Sequence, residues 1–159
     1  MAAPADDSPG VPIPPPLLFV LGFVAGLLAD GVVPVRLLGT ARRAAAVWTG
    51  WGAIAAGLIL MFWGILTFAR SRTAVMPHLP ASRLVTSGPY RLTRNPMYVG
   101  ITLAYVGIAL LIDTAWPVLL LPLVLALLFV VVVRREERYL ERAFGDAYRS
   151  YRRRVRRWV

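Results

Sequence analysis

A short polar stretch between two apolar segments carries much of the chemistry available to this chain. It reads SGPYRLTRNPMYVG and covers residues 87–100. Asn95 and Pro96 are typical of a helix start, because asparagine is a preferred N-cap and proline fits the first helical position. Arg91 and Arg94 then lie near the positive end of that helix, which suits an anionic group such as a carboxylate or phosphate. The alternative is that tyrosine and arginine only anchor the chain at a membrane interface.

A second polar cluster follows the last apolar segment. Glu136 and Glu137 stand among arginines there, and two interpretations are open: they pair with arginine, or they bind a cationic group held between tail and loop. A ligand with both an ammonium and a carboxylate would use glutamate for the first and arginine with the helix dipole for the second. The pattern predicts a tail helix that continues to Phe144, breaks at Gly145 and resumes as a short basic helix. Helical spacing also predicts an apolar and aromatic stripe, packed against the membrane or the loop, formed by Leu140, Phe144, Tyr148, Tyr151 and Val155.

Apolar segments must position these residues. The chain has 159 residues, of which 58% are hydrophobic, whereas an ordinary soluble domain is nearer half apolar. A membrane-spanning helix needs about 20 apolar residues, so we predict an all-α integral membrane protein with about four transmembrane helices and an amphipathic helical tail. The last two spans should form a hairpin, because only residues 113–115 separate them. The predicted spans are residues 17–33, 47–68, 97–112 and 116–133.

The rest of the chain is predicted to form one domain with these spans, over residues 17–159. The first sixteen residues contain six prolines and no lysine or arginine, so they do not fit a secretory signal and are predicted to be a disordered tail. The loop at residues 70–96 and the tail at residues 134–159 are predicted to hold the cofactor. There is no cysteine, which excludes disulfides and thiolate chemistry.

The charge distribution predicts which side of the membrane the loop and tail occupy. The formal net charge is +10 and all 18 basic residues are arginine. Fifteen of them lie in the loop and tail, against three between the first two spans, so the positive-inside rule places loop and tail in the cytoplasm. We therefore predict a multi-pass protein of the bacterial cytoplasmic membrane, with the lipid bilayer as a partner. Arginines beside spans ordinarily set topology and touch anionic lipid head groups, so no nucleic-acid partner is expected.

Taken in order, these residues resemble the isoprenylcysteine carboxyl methyltransferase family, which is related to the phospholipid methyltransferases. The matching pattern is LVTSGPY at residues 84–90, RNPMYVG at residues 94–100 and, after a hairpin of spans, the Glu136-Glu137 pair with the stripe that follows it. The resemblance covers roughly residues 70–157. It implies S-adenosylmethionine as the cofactor, bound between loop, third span and tail, and a lipophilic or amphiphilic acceptor that enters from the bilayer.

The same resemblance implies most of the site residues, whereas Arg91 and His78 are added from their own sequence context. Arg91 and Arg94 are candidate catalytic residues, since arginine can hold an acidic acceptor. His78, the only histidine, lies in the stiff stretch MPHLP and makes either an ordinary interface hydrogen bond or a further site contact. No histidine, aspartate or glutamate pair has metal-ligand spacing, so no metal is expected. The candidate cofactor-binding residues are His78, Gly88, Tyr90, Arg94, Asn95, Pro96, Tyr98, Gly100, Glu136, Glu137, Tyr148 and Tyr151.

One position departs from the family pattern. Better-known members have histidine in Arg-His-Pro, where this chain has Asn95. Asparagine can cap the helix and hydrogen-bond a ligand, but it cannot take a proton near neutral pH. Amine acceptors, which need a base, are therefore disfavoured unless Glu136 or Glu137 supplies it.

Two other functions stay open on the sequence. One is a membrane NADPH-dependent reductase of the sterol-reductase type, whose cofactor phosphates the arginine-rich tail could bind. The other is a non-enzymatic membrane scaffold whose basic tail binds lipid head groups or a partner. The sequence predicts neither the identity of the acceptor nor the oligomeric state.

Overall fold

The computed structural model describes residues 10–11, 13–38, 43–71 and 83–158. Within these residues the chain is helical and contains no β-strand. A short 3-10 helix covers Gly88–Arg91, and a π-helical segment covers Phe129–Val133. The α-helices are α1 (Pro15–Val32), α2 (Arg43–Arg70), α3 (Pro96–Ile112), α4 (Trp116–Leu128) and α5 (Arg134–Arg154).

The helices before residue 134 are apolar on all sides, which is typical of membrane spans. Helix α1, helix α2 and the continuous helix Trp116–Arg154 are each long and apolar enough to cross a membrane. Helix α3 is shorter, with 17 residues, or about 25 Å at 1.5 Å per residue. Large apolar side chains such as Trp48, which is 80% exposed, lie on the outer surface, where lipid covers them. The predicted class, an all-α multi-pass integral membrane protein, is confirmed.

Glycines bring α2 and α3 into close contact. A Cβ atom added at Gly57 would lie 2.4 Å from the carbonyl oxygen of Gly100, and one added at Gly107 would lie 2.6 Å from the carbonyl oxygen of Gly50. Small residues allow such close backbone approach. Close packing matters here because the hydrophobic effect contributes little to helix association within lipid. Because α3 packs mainly on α2, this interface fixes the position at which α3 begins.

One end of the bundle is closed by short turns, which we call the turn end. Asp113 adopts a left-handed conformation with φ 54°, and its Oδ1 accepts the Leu38 N–H at 3.1 Å. The Ala115 N–H donates to the Val35 carbonyl at 2.9 Å. The predicted three-residue connection is confirmed, although α3 packs mainly on α2 and α4 mainly on α1. The turn end comprises residues 33–38 and 113–116.

The opposite end, which we call the site end, brings the loop and the tail together. The fourth span does not stop at residue 133, because the π-helical segment carries it on into α5. Helix α5 breaks at Gly145, as predicted, with φ 49° and ψ −122°. The predicted stripe packs on the loop, since Tyr148 and Tyr151 are buried with Val85 and Tyr90. The site end comprises residues 83–95 and 134–158.

The N-terminal segment also contacts the site end. Helix α1 begins at Pro15, two residues before the predicted start. The Gly10 carbonyl accepts a hydrogen bond from Arg135 Nη1 at 2.9 Å, and Val11 and Ile13 pack on a buried cluster that includes Val133. The remainder of the segment predicted as a disordered tail lies outside the described residues.

Candidate functional site

Six polar side chains meet at the site end, and we call them the polar cluster. They come from the loop before α3, from α3 itself, from α5 and from the chain beyond α5. The α2–α3 interface and the loop place the first two, while the π-helical segment carries α5 directly past them. The polar cluster consists of Arg94, Tyr98, Glu136, Glu137, Tyr148 and Arg157.

Glu137 is the centre of an ion-pair network. Its Oε1 lies 2.8 Å from Arg94 Nη1 and 2.8 Å from Arg157 Nε, and its Oε2 accepts from Arg157 Nη2 at 2.9 Å. Arg94 Nη1 is also 3.3 Å from the Tyr148 hydroxyl. The side chains of Arg94 and Glu137 are only 9% and 13% exposed. Glu137 thus pairs with arginine, one of the two interpretations that the sequence leaves open.

Glu136 has a different environment although it is the adjacent residue. The Tyr98 hydroxyl donates to its Oε1 at 2.8 Å, and within the described residues no basic side chain pairs with it. The groups that face it are Tyr98 from α3, Tyr90 from the 3-10 helix and Glu137 from its own helix. Burial raises the pKa of Glu136 to about 7, the Tyr98 hydrogen bond opposes the shift, and the Glu137 charge adds to it. Glu136 therefore ionises near neutral pH.

Two further buried groups at this end have no hydrogen-bond partner among the described residues. These are the Nε–H of Arg94 and the hydroxyl of Tyr90. An unpaired buried donor costs roughly 1–3 kcal/mol, so native proteins rarely leave one without a reason. Among the described residues, the polar cluster thus contains an arginine donor without an acceptor and a glutamate without a basic partner.

Tyrosines form the wall between loop and tail. The Tyr151 hydroxyl donates to the Tyr90 carbonyl at 2.7 Å, and the Tyr90 ring packs edge-on against Phe68 with centroids 5.2 Å apart. Burial raises the pKa of Tyr148 and of Tyr151 above the ordinary phenol value, so both hydroxyls stay protonated at neutral pH. The predicted wall residues Tyr90, Tyr148 and Tyr151 are thus brought together.

Asn95 and Pro96 only partly match their predicted roles. Helix α3 does begin at Pro96. The Asn95 side chain makes no capping hydrogen bond, and its Nδ2 donates to the Arg157 carbonyl at 3.1 Å instead. The predicted side-chain cap is therefore wrong, because the C-terminal segment offers the amide a backbone acceptor.

The two candidate glycines lie against α2. A Cβ atom at Gly88, where φ is +58°, would be 2.6 Å from Thr67 Oγ1, and one at Gly100 would be 2.7 Å from the Gly57 carbonyl oxygen. The space left by the missing side chains of these glycines is therefore occupied by α2 in the structure.

Arg91 stands apart from the polar cluster. It is exposed, forms no ion pair within the described part of the chain, and lines an open cleft of about 280 Å³ together with Thr86, Tyr151, Arg154 and Val155. His78 lies outside the described residues. Of the two candidate catalytic arginines, only Arg94 joins the polar cluster.

The sequence did not single out Arg157, Thr93 or Phe129. Arg157 forks onto Glu137 and its guanidinium lies 4.9 Å from the centroid of the Phe129 ring. Thr93 Oγ1 donates to the Arg157 carbonyl at 2.9 Å. Helical periodicity could not reveal these contacts, because the chain leaves the helix at Val155 before it reaches Arg157.

The structure thus combines a bundle of apolar helices with a buried polar cluster at one end. The chain belongs to the phospholipid methyltransferase family, which matches residues 45–147. The resemblance inferred from sequence motifs is thereby confirmed.

Curated relatives match the chain over shorter stretches. It is 38% identical over 84 residues, 49% of this chain and 36% of the relative, to the protein-S-isoprenylcysteine O-methyltransferase of Schizosaccharomyces pombe. It is 39% identical over 72 residues, 45% of this chain and 33% of the relative, to the cobalt-zinc-cadmium resistance protein CzcN of Cupriavidus metallidurans. The chain thus spans about a third of the length of these relatives. No solved structure matches it significantly.

Proposed function

We propose that this protein transfers a methyl group from S-adenosylmethionine to a lipophilic or amphiphilic acceptor at the membrane surface. The observation that carries the proposal is that the polar cluster contains two groups without partners, one on a cationic and one on an anionic side chain. Among the described residues, the buried Nε–H of Arg94 has no acceptor and the Glu136 carboxylate has no basic partner. S-adenosylmethionine carries a carboxylate, an ammonium and a sulfonium, so its charges complement this pair.

The residues of the chain have distinct tasks in this proposal. Arg94 would bind the cofactor carboxylate, and Glu136, oriented by the Tyr98 hydroxyl at 2.8 Å, would bind its cationic part. Glu137 holds Arg94 in place through the 2.8 Å ion pair, and the buried tyrosines exclude water. When bound, the cofactor supplies an activated methyl group, and the protein contributes mainly positioning.

The acceptor proposed here is a lipid or a lipid-modified molecule. The names of the matching family and of the fission-yeast relative refer to a phospholipid and to an isoprenylated cysteine, which are both lipophilic. The polar cluster lies where α4 passes through the π-helical segment into α5, so an acceptor in the bilayer is next to it. The separate cleft beside Arg91 would bind an acidic head group of that acceptor.

The site end is proposed to face the cytoplasm, because fifteen arginines lie in the loop and tail against three between the first two spans. The chain has no cysteine, so single-cysteine reporters are clean probes. In right-side-out vesicles, a membrane-impermeant maleimide should label Arg36→Cys and leave Arg153→Cys unlabelled. The reverse labelling would refute the orientation.

The test of the function is calorimetric titration of the detergent-purified protein with S-adenosylhomocysteine and, separately, with NADPH. We expect saturable binding of the first only. Glu136→Gln should weaken it by about 10- to 100-fold, which corresponds to the roughly 1.5–3 kcal/mol of a hydrogen bond to a charged group. The matched control is Glu141→Gln, on the same helix but paired with the exposed Arg152, which should bind normally. Unchanged binding by Glu136→Gln would refute the site, and binding of NADPH alone would favour a reductase.

A further inference from the structure

The last described residues of the chain, residues 155–158, follow α5 as a non-helical segment, which we call the C-terminal strap. Helix α5 ends at Arg154, and Val155 is extended with φ −122° and ψ 130°. The strap lies beyond the stretch that matches the methyltransferase family, residues 45–147. Neither that match nor the motif resemblance over residues 70–157 assigned a role to Arg157.

The backbone of the strap binds the three residues that precede α3. The Arg156 carbonyl accepts the Arg94 N–H at 2.9 Å. The Arg157 carbonyl accepts from Thr93 Oγ1 at 2.9 Å and from Asn95 Nδ2 at 3.1 Å. Two carbonyls thus hold a backbone amide, a hydroxyl and a side-chain amide of the loop.

The side chains fix the strap on both sides. Arg157 forks onto Glu137 at 2.8 and 2.9 Å, and its guanidinium stacks on Phe129 at 4.9 Å. Val155 packs on the cluster that contains Tyr148, and Trp158 packs on the cluster that contains Val133. A bidentate arginine–carboxylate pair restricts both groups more than a single contact does.

From these contacts we infer that Arg157 is a positioning residue of the methyl-transfer site. Through Glu137, which it shares with Arg94, it fixes the arginine proposed to hold the cofactor. Through its own carbonyl it fixes the Asn95 amide, so residue 95 serves as a donor to the strap and not as a proton carrier. The strap is then a permanent wall of the site. This inference rests on the proposed function for its effect on ligand binding, but the contacts between strap and loop can be tested separately.

Two measurements on the full-length protein test the inference. The first is hydrogen–deuterium exchange of the Arg94 amide, whose acceptor is the strap carbonyl of Arg156; it requires no ligand. The second is the dissociation constant for S-adenosylhomocysteine. Arg157→Gln should speed exchange at Arg94 by about tenfold or more and weaken binding by about tenfold. Arg157→Lys keeps the charge but loses the fork, so its effects should be intermediate.

A matched control is available in the neighbouring residue. Arg156→Gln removes the same charge from an exposed side chain and keeps the backbone carbonyl, so exchange and affinity should both stay at wild-type values. Because Arg157 acts through Glu137, the double variant Glu137→Gln/Arg157→Gln should bind no more weakly than Glu137→Gln alone. If Arg157→Gln does not fold, Asn95→Asp takes its place, since it removes the amide donor to the strap.

The outcomes separate the inference from the proposed function. Normal exchange at Arg94 in Arg157→Gln would show that Arg157 does not hold the strap. Fast exchange with unchanged affinity would show that the strap is no part of the site. An equal loss of affinity in Arg156→Gln would show that the effect comes only from the change in net charge. Each of these results overturns the inference. A wild-type protein that binds no S-adenosylhomocysteine overturns the proposed function, while the exchange data still decide whether Arg157 holds the strap.

Discussion

The two ends of this helical bundle differ in the polar contacts that they make. At the turn end, the Ala115 N–H donates to the Val35 carbonyl, and the carboxylates of Asp30 and Asp113 each accept one backbone amide. The buried Thr114 hydroxyl has no partner among the described residues. At the site end, two arginines share one glutamate. Among the described residues, a second glutamate lacks a basic partner and the buried Nε–H of Arg94 has no acceptor. The turn end is arranged for closure of the bundle. At the site end the groups without partners include parts of charged side chains, whereas the turn end has a neutral hydroxyl, and such charged groups are expected where a charged ligand binds.

The largest effect that should distinguish the two ends is the loss of Arg94. Arg94→Ala removes the proposed anion-binding group and also takes one of two arginines from Glu137, so we expect ligand binding to fall by at least about a hundredfold, from more than one charged hydrogen bond. Calorimetry with S-adenosylhomocysteine measures this. Arg149→Gln is the control, because Arg149 forms an exposed pair with Asp146 and no pair with Glu137 among the described residues. Loss of that exposed pair should leave affinity unchanged. Normal binding by Arg94→Ala would contradict the proposal that the site end binds the ligand through Arg94.

The sequence predicted the apolar helices and the short connection between α3 and α4, since both follow from local rules. Uninterrupted apolar runs predict membrane helices irrespective of what they pack on, and the start of α3 at Pro96 follows from the conformational restriction of proline. The sequence did not predict which helices pack against each other. The hairpin of α3 and α4 is present as a connection, but the glycines at 50, 57, 100 and 107 draw α3 onto α2, and this depends on which faces meet.

The site was predicted in part, and the missing part is instructive. Sequence motifs brought together Arg94, Tyr98, Glu136 and Glu137, and the structure joins these four in one polar cluster. They did not distinguish the two adjacent glutamates, whose different environments arise from residues distant in the sequence. The partner that occupies Glu137, Arg157, is one of ten arginines after residue 133, and only the turn of the chain at Val155 selects it.

A substitution in the membrane separates stability of the fold from chemistry of the site. Gly57→Ala places a Cβ about 2.4 Å from the Gly100 carbonyl oxygen, so the helices must move apart, at a cost of about 1–3 kcal/mol for overpacking. Unfolding in a denaturing detergent should show this loss. Gly52→Ala is the matched control on the same helix, because nothing lies within 4 Å of a Cβ there, and it should be neutral or slightly stabilising. Equal stability of the two variants would contradict the close α2–α3 contact.

A pH titration of ligand binding sharpens the difference between the adjacent glutamates. Burial raises the pKa of Glu136 to about 7, so roughly a tenth of the carboxyls are ionised at pH 6 and roughly nine tenths at pH 8. If the ionised form binds the ligand cation, affinity should rise about tenfold between these values. In the unliganded protein the sign is opposite: a raised pKa contributes stability at low pH, and that contribution is lost as pH rises towards 7.

The variant Glu136→Gln serves as the control for this titration. It cannot ionise, so the slope of affinity against pH should disappear, whereas Glu141→Gln should keep it. A slope that persists in Glu136→Gln would have to come from another group and would contradict the role given to Glu136.

The smallest effect is expected at the turn end, and it tests whether that end is independent of the site. Asp113→Asn replaces the carboxylate that accepts the Leu38 amide at 3.1 Å with a neutral amide that tolerates the left-handed backbone, so one charged hydrogen bond weakens by about 1 kcal/mol. Detergent unfolding should show a loss of that size, while the affinity for S-adenosylhomocysteine stays at the wild-type value. The two ends are joined by the length of α3 and α4, so a fall in affinity of more than about threefold would mean that closure at one end sets the position of Arg94 at the other. In that case the division between a structural end and a binding end would be wrong, and the helices themselves would count as part of the site.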